Sequence, residues 1–184
     1  INKLEAPTAT DNCSTPMVKI GNVFRIEDGE KRYYTYLGTG NFNEKTARIY
    51  ADHALLTADK KIGKEASQVF DILERKIIIP KTKRLMISPF NSRTGLTNLV
   101  EKEIDHAKAG KKAYMILKMN SLQDPAMIDL LYKANNMGVK IKIICRGICC
   151  LVAGIEGQSE HIEVISIVDR FLEHARVYIF GNDG

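Results

Sequence analysis

Hydrophobic and polar positions change period along this chain, and the changes mark its elements. Residues 18–26 mix apolar and polar positions in a strand-like run, and 32–37 return in the same style. Between them lies Glu27-Asp28-Gly29-Glu30, whose Asp-Gly pair supplies the positive φ angles that a tight hairpin turn needs. A third strand is predicted over 50–57, ending in the apolar run Ala54-Leu55-Leu56. Period 3.6 then takes over. Over 64–73, Ala66, Val69, Phe70 and Leu73 fall on one helical face. Pro80 and the basic residues around it break the pattern and mark a boundary.

Beyond that boundary the alternation is regular. A short strand is predicted over 84–88, then a helix over 94–109 with Leu96, Leu99, Val100, Ile104 and Ala107 inward and Gly110 as its stop. A strand follows over 113–118. Asp124 caps a helix whose first residue is Pro125, and Gly138 ends it. Strands at 139–145, 162–168 and 176–180 complete the series. Strand, helix, strand, helix, strand predicts an α/β fold with a parallel sheet. Ligands in such sheets sit off the carboxyl ends of the strands. Those ends are Pro89-Phe90-Asn91, Met119-Asn120-Ser121, Arg146-Gly147 and Asp169-Arg170. Residues 1–16 carry no periodicity and read as a loose arm.

Composition narrows the classes. The chain has 184 residues, 45% apolar and 27% charged, enough for one medium domain or two small ones. No apolar run approaches the roughly 20 residues a membrane helix needs, and the first residues are no signal peptide. Ile1 in place of an initiator Met suggests a processed chain or an excised piece. The net charge of +5 suits an anionic partner or ordinary solvated lysines. Of the four cysteines, Cys145, Cys149 and Cys150 are crowded together and Cys13 stands apart. That spacing matches neither a disulfide pattern nor a zinc site, so free thiols in a reducing cytoplasm are expected.

The stretch from Leu37 to Asp59 concentrates the candidate chemistry. Gly38-Thr39-Gly40-Asn41 can turn N–H groups toward an anion, and Lys45, Arg48 and Tyr50 follow. Arg146, at a strand's carboxyl end, is placed either to fork onto phosphate or to pair structurally. His174, among Arg170, Glu173 and Arg176, reads as an acid, a base or a phosphate ligand, or as a capping residue. Tyr50 can stack on a base, whereas Tyr34 and Tyr36 fit sheet packing. His53, His106 and His161 read as structural or loop residues, and no two histidines fall at metal-ligand spacing.

These residues resemble a known family. Leu37-Gly38-Thr39-Gly40-Asn41-Phe42-Asn43-Glu44-Lys45-Thr46-Ala47-Arg48-Ile49-Tyr50, then Leu55-Leu56-Thr57-Ala58-Asp59, are similar to the C-terminal half of bacterial polyphosphate kinase. So are Ser88-Pro89-Phe90-Asn91-Ser92-Arg93, Leu117-Lys118-Met119-Asn120-Ser121-Leu122, Arg146-Gly147-Ile148-Cys149 and the run from Ile165 to His174. The resemblance implies two phospholipase-D-like α/β domains, over 17–80 and 81–184. It implies reversible transfer of the terminal phosphate of ATP to polyphosphate through a phosphohistidine, with magnesium. It places the nucleotide-contacting tyrosine on Tyr50, the phosphate-contacting arginine on Arg146 and the second active-site histidine on His174. Lys19, Gly38, Thr39, Gly40 and Asn41 fall in its first phosphate-binding motif. Its partners would be ATP or ADP and polyphosphate, with a homo-oligomer in the cytoplasm.

One departure stands out. The phosphorylated histidine of the family's His-x-Lys motif falls on Met17 of Met17-Val18-Lys19, and a thioether cannot take up a phosphoryl group in that way. Residues 1–16 do not resemble the family, and the chain stops at Gly184, where the family continues with a second phosphate loop. The expectation is a fragment or a degenerate relative, with its first domain incomplete, its second cut short and little activity by itself. Magnesium ligands are not identified in the chain. A phospholipase-D-like phosphodiesterase and a non-catalytic polyanion-binding module are the alternatives.

Overall fold

The computed structural model describes residues 19–184. The chain divides into two units. The first holds the chain up to Arg48 and Asp52–Arg93, and the second holds Ile49–Ala51 and Thr94–Gly184.

In the first unit, β1 (Lys19–Glu27) and β2 (Glu30–Gly38) pair antiparallel from Glu27 opposite Glu30 to Lys19 opposite Gly38. Asp28 and Gly29, at φ 53° and 76°, make the turn, the positive-φ pair that matches the twist of a two-residue hairpin. A short helix, α1 (Glu44–Ala47), is capped by Asn43. The run predicted as a single strand over 50–57 is two strands. β3 (Tyr50–Ala51) joins the second unit, and β4 (Ala54–Thr57) pairs antiparallel with β2. The break falls at Asp52-His53, where Thr39 competes for the backbone. Thr39 N–H donates to the His53 carbonyl at 3.0 Å, and His53 N–H donates to Thr39 Oγ1 at 3.1 Å.

α2 (Lys60–Leu73) starts four residues earlier than its apolar stripe predicts, because the Asp59 carboxylate caps it by accepting from Lys61 and Ile62 N–H. The helix packs on the hairpin through buried Ala66 and through Gly63 against Tyr33. Asn22 on β1 donates to the Gly63 carbonyl and accepts from Thr35, so a polar pin supplements a small apolar contact.

The strand predicted over 84–88 does not form. Its amides are taken by side chains instead. Glu65 accepts from Lys83, Arg84 and Leu85 N–H at 2.8–3.0 Å, and Asn91 Oδ1 accepts from Ile87 N–H. A backbone satisfied in this way has no need of a sheet neighbour.

The second unit carries the main core. Its elements are α3 (Ser92–Lys108), β5 (Tyr114–Met119), α4 (Pro125–Asn136), β6 (Lys140–Cys145), β7 (Ile162–Ile165), β8 (Leu172–Glu173) and β9 (Val177–Phe180). The four-stranded sheet runs β7-β6-β5-β9, with the first three parallel and β9 antiparallel to β5. Alternation sets the buried face: Met115 and Leu117 on β5, and Ile141, Ile143 and Cys145 on β6. Val100 and Ile104 of α3 and Ile128, Leu131 and Ala134 of α4 close the same cluster. β7 ends three residues short of the predicted 168, and Val168 is exposed. No helix among the described residues is long and apolar enough to cross a membrane.

Two carboxylates, Glu103 and Glu65, organise the backbone at the edges of the two units. Glu103, 1% exposed, accepts from Tyr114 N–H at the start of β5 and from Asn182 N–H beyond β9. Glu103→Ala leaves both amides without this acceptor, and urea denaturation is expected to show a loss of about 1–3 kcal/mol, with Glu103→Gln losing less. Equal stability of all three proteins would refute the role. Burial tends to raise the pKa of the Glu65 carboxyl, but the amides of Lys83, Leu85 and Arg84 and the Arg84 charge outweigh it, and the pKa lies below the ordinary carboxylate value. Its contribution is therefore fully present above that ordinary value and fades as pH falls through the lowered one. Glu65→Gln is expected to flatten the acid side of the stability–pH curve. An unchanged acid limb would contradict this.

Candidate functional site

The site builds from the place where β5 and β6 end side by side, with Met119 opposite Cys145. The two strands stay latched for one further step. Arg146 N–H donates to the Met119 carbonyl at 3.3 Å, and Gly147 N–H to the Asn120 carbonyl at 2.7 Å. Only glycine permits this approach at position 147: a Cβ there would lie 2.9 Å from the Asn120 carbonyl oxygen and 3.2 Å from Ser121 Oγ. The latch brings the Arg146 side chain onto Asn120. Arg146 Nε donates to Asn120 Oδ1 at 2.8 Å, and Nη2 donates to the same oxygen. Nη1 is buried and has no hydrogen-bond partner among the described residues. Arg146 thus pairs with an amide rather than a carboxylate and keeps one buried nitrogen without a partner among the described residues.

The second half of the site comes from a distant part of the chain. β3 pairs parallel with β8, Tyr50 opposite Leu172 and Ala51 opposite Glu173. Leu172 N–H donates to the Ile49 carbonyl, and His174 and Ala175 N–H both donate to the Ala51 carbonyl. The Tyr50 and His174 rings meet at 5.0 Å between centroids with 43° between planes, within the range of favourable ring pairs. Arg176 Nη1 donates to the His174 carbonyl at 2.6 Å. Lys118 on β5 forms a half-buried ion pair with Glu173 at 2.5 Å, tying the small sheet to the large one. Lys118 lies opposite Val177, so the chain from β8 into β9 enters at the carboxyl end of β5. Tyr50, His174, Asn120 and Arg146 thus share one end of this unit, the end at which parallel sheets hold ligands. A half-buried aromatic face, an imidazole and a guanidinium with an unfilled edge can together take an aromatic base and a phosphate.

The other phosphate-site candidates of the sequence, Lys19 and the glycine loop, lie in the first unit. Lys19 stands opposite Gly38 in the ladder, while Met17 and Val18 lie outside the described residues. In the glycine loop, Thr39 N–H is engaged by His53, and Thr39 Oγ1 donates to Asp52 Oδ1 at 2.9 Å. The Asp52 carboxylate lies close enough to Gly40 that a Cβ there would stand 2.7 Å from Oδ2. The Asn41 carbonyl accepts from Asn43 N–H. Arg48 is exposed and ion-paired with Glu44. Tyr34 donates to Glu27, and Tyr36 packs on Phe42 with ring centroids at 5.1 Å; both contacts are structural. Cys145, Cys149 and Cys150 are free thiols. Burial, and then neighbouring Cys149, push the Cys145 thiol up. Cys13 lies outside the described residues.

Asn120, Lys118 and Glu173 are site residues that the sequence does not flag individually. Asn120 carries the only available hint, a polar residue at a strand's carboxyl end. The role of Glu173 depends on β8, which at two residues is too short to leave a periodic signal.

Known proteins are similar to this chain along nearly all of its length. Residues 15–78 match the family described as polyphosphate kinase C-terminal domain 1, and residues 85–184 match polyphosphate kinase C-terminal domain 2. The polyphosphate kinase of Vibrio parahaemolyticus is 52% identical over 166 residues, which is 90% of this chain and 24% of that protein. That of Escherichia coli is 46% identical over the same length and the same shares. The crystal structure of polyphosphate kinase from Porphyromonas gingivalis superposes with a TM-score of 0.83 at 43% identity, covering 91% of this chain and 28% of that one. The chain therefore spans about a quarter of the length of the curated relatives it matches. With both C-terminal domain families matched in order along it, the chain belongs to the polyphosphate kinase family.

Proposed function

We propose that this chain contributes nucleotide and phosphate contacts to an enzyme that moves the terminal phosphate of ATP reversibly onto polyphosphate. The observation that carries the reading is the meeting of Tyr50 and His174 across the β3–β8 pairing, at the same end of the sheet as Arg146. Tyr50 offers its ring face to the base. Arg146 forks onto phosphate oxygens and offsets the charge that builds on them during transfer. His174 holds or moves a proton at the transferring phosphate through an imidazole nitrogen.

In this reading residues 17–80 and 81–184 are two phospholipase-D-like domains, and the transfer passes through a phosphohistidine. An imidazole nucleophile divides one difficult transfer into two easier ones. The position of that nucleophile falls on Met17, so the chain's own residues supply binding and charge rather than the phosphorylated group. Lys19 and the Gly38-Thr39-Gly40-Asn41 loop would then add phosphate contacts through Lys19, Gly40 and Asn41, since the Thr39 amide and hydroxyl are held by His53 and Asp52. Among the described residues no group of three or more His, Cys, Asp or Glu side chains could hold a metal, so magnesium would be held chiefly by the nucleotide phosphates.

The test is polyphosphate synthesis from ATP by the full-length gene product that contains this chain. Arg146→Ala and His174→Ala are each expected to lower kcat by about 100-fold or more. His161→Ala, at an exposed residue beside Glu160, is expected to stay within about twofold of wild type. Unchanged turnover in the first two variants, or an equal loss in all three, would overturn the reading.

A further inference from the structure

We propose that Asn120 is the positioning residue of the phosphate-binding arginine, and that its neutral amide is what keeps the Arg146 charge available to a polyphosphate ligand. The inference rests on the reading of Arg146 as a phosphate ligand and adds the device that makes it one.

A guanidinium has two edges that can bind two oxygens at once. The side edge carries Nε–H and one N–H of Nη2, and the end edge carries one N–H of Nη1 and the other N–H of Nη2. Asn120 Oδ1 occupies the whole side edge by itself, accepting from both Nε and Nη2. The end edge is left over, and its Nη1 is buried without a partner among the described residues. A buried charged donor without an acceptor is costly, so its retention points to a ligand that fills it. A tetrahedral phosphate, with oxygens spaced for a parallel fork, fits that edge.

The identity of the side-edge partner then matters. An aspartate at position 120 would hold the same geometry and bond more tightly, but its charge would cancel that of the arginine and weaken attraction for an anion. An amide fixes direction and leaves the charge. Asn120 is itself fixed, because its carbonyl accepts the Gly147 N–H in the latch that only glycine allows.

Binding of inorganic tripolyphosphate to the 184-residue chain by isothermal titration calorimetry, at several salt concentrations, tests this. Arg146→Ala is expected to weaken binding about tenfold or more. Asn120→Asp, although nearly isosteric, is expected to weaken it to a similar degree, and to lower the slope of log affinity against log salt by about one ion. Asn120→Ala is expected to weaken it only a few-fold with the wild-type slope. A purely structural role predicts the opposite order, with Asn120→Asp close to wild type, and that result would overturn the proposal. If urea denaturation shows Asn120→Asp to be unfolded, Asn120→Ala decides: weaker binding at an unchanged slope supports the proposal, and wild-type affinity overturns it. Absence of tripolyphosphate binding by the wild type would refute the phosphate reading of Arg146 itself, and the inference with it. Loss in Arg146→Ala with both Asn120 variants intact would refute the inference alone.

Discussion

The site depends on a two-residue parallel pairing. β3 and β8 are each too short to stand as a sheet alone, yet the Ile49 and Ala51 carbonyls accept three amides from Leu172, His174 and Ala175. That pairing draws Ile49–Ala51 into the second unit while the chain on either side belongs to the first. It sets the Tyr50 ring against the His174 ring, and it holds Glu173 where Lys118 of the main sheet can reach it. Without it, the aromatic and the imidazole would have no reason to share an end of the second unit with Arg146.

Around that pairing, polar contacts aim side chains that the core alone could not. The apolar cluster of Met115, Leu117, Ile141 and Ile143 fixes where the parallel strands end, because alternate residues on each strand must face the helices. What happens one residue beyond is decided by hydrogen bonds: Gly147 to Asn120, Arg146 to Met119, and the guanidinium to the Asn120 amide. Packing places the ends of strands, and the amides and carbonyls exposed there determine what those ends can bind. The glycine loop of the first unit illustrates the converse. Its Thr39 amide and hydroxyl are used to hold Asp52 and His53, so its position opposite Lys19 is better defined by the ladder than by an open cradle.

Much of this was legible in the sequence, and the exceptions have physical causes. The Asp28-Gly29 hairpin, the Asp124-Pro125 helix start and the βαβ order follow from local chemistry and period. Arg146 and His174 stood out because of where they fall relative to apolar runs. The strand expected over 84–88 was lost because Glu65 and Asn91 supply its hydrogen bonds from elsewhere, which no window of local sequence reveals. The division of 50–57 was hidden for the same reason, since Thr39 interrupts that strand from another loop. Asn120 and Glu173 were not separable from their neighbours, because their roles exist only through partners on other elements.

Tyr50, His174 and Arg146 are proposed to form one ligand site on the second unit. Nuclear magnetic resonance titration of the 184-residue chain with ATP tests it most directly, by following the Tyr50 ring, the His174 imidazole and the Arg146 guanidinium signals together. All three are expected to shift along one binding curve with a single Kd. Shifts that follow different Kd values, or a saturating response elsewhere that leaves these three signals unmoved, would contradict it.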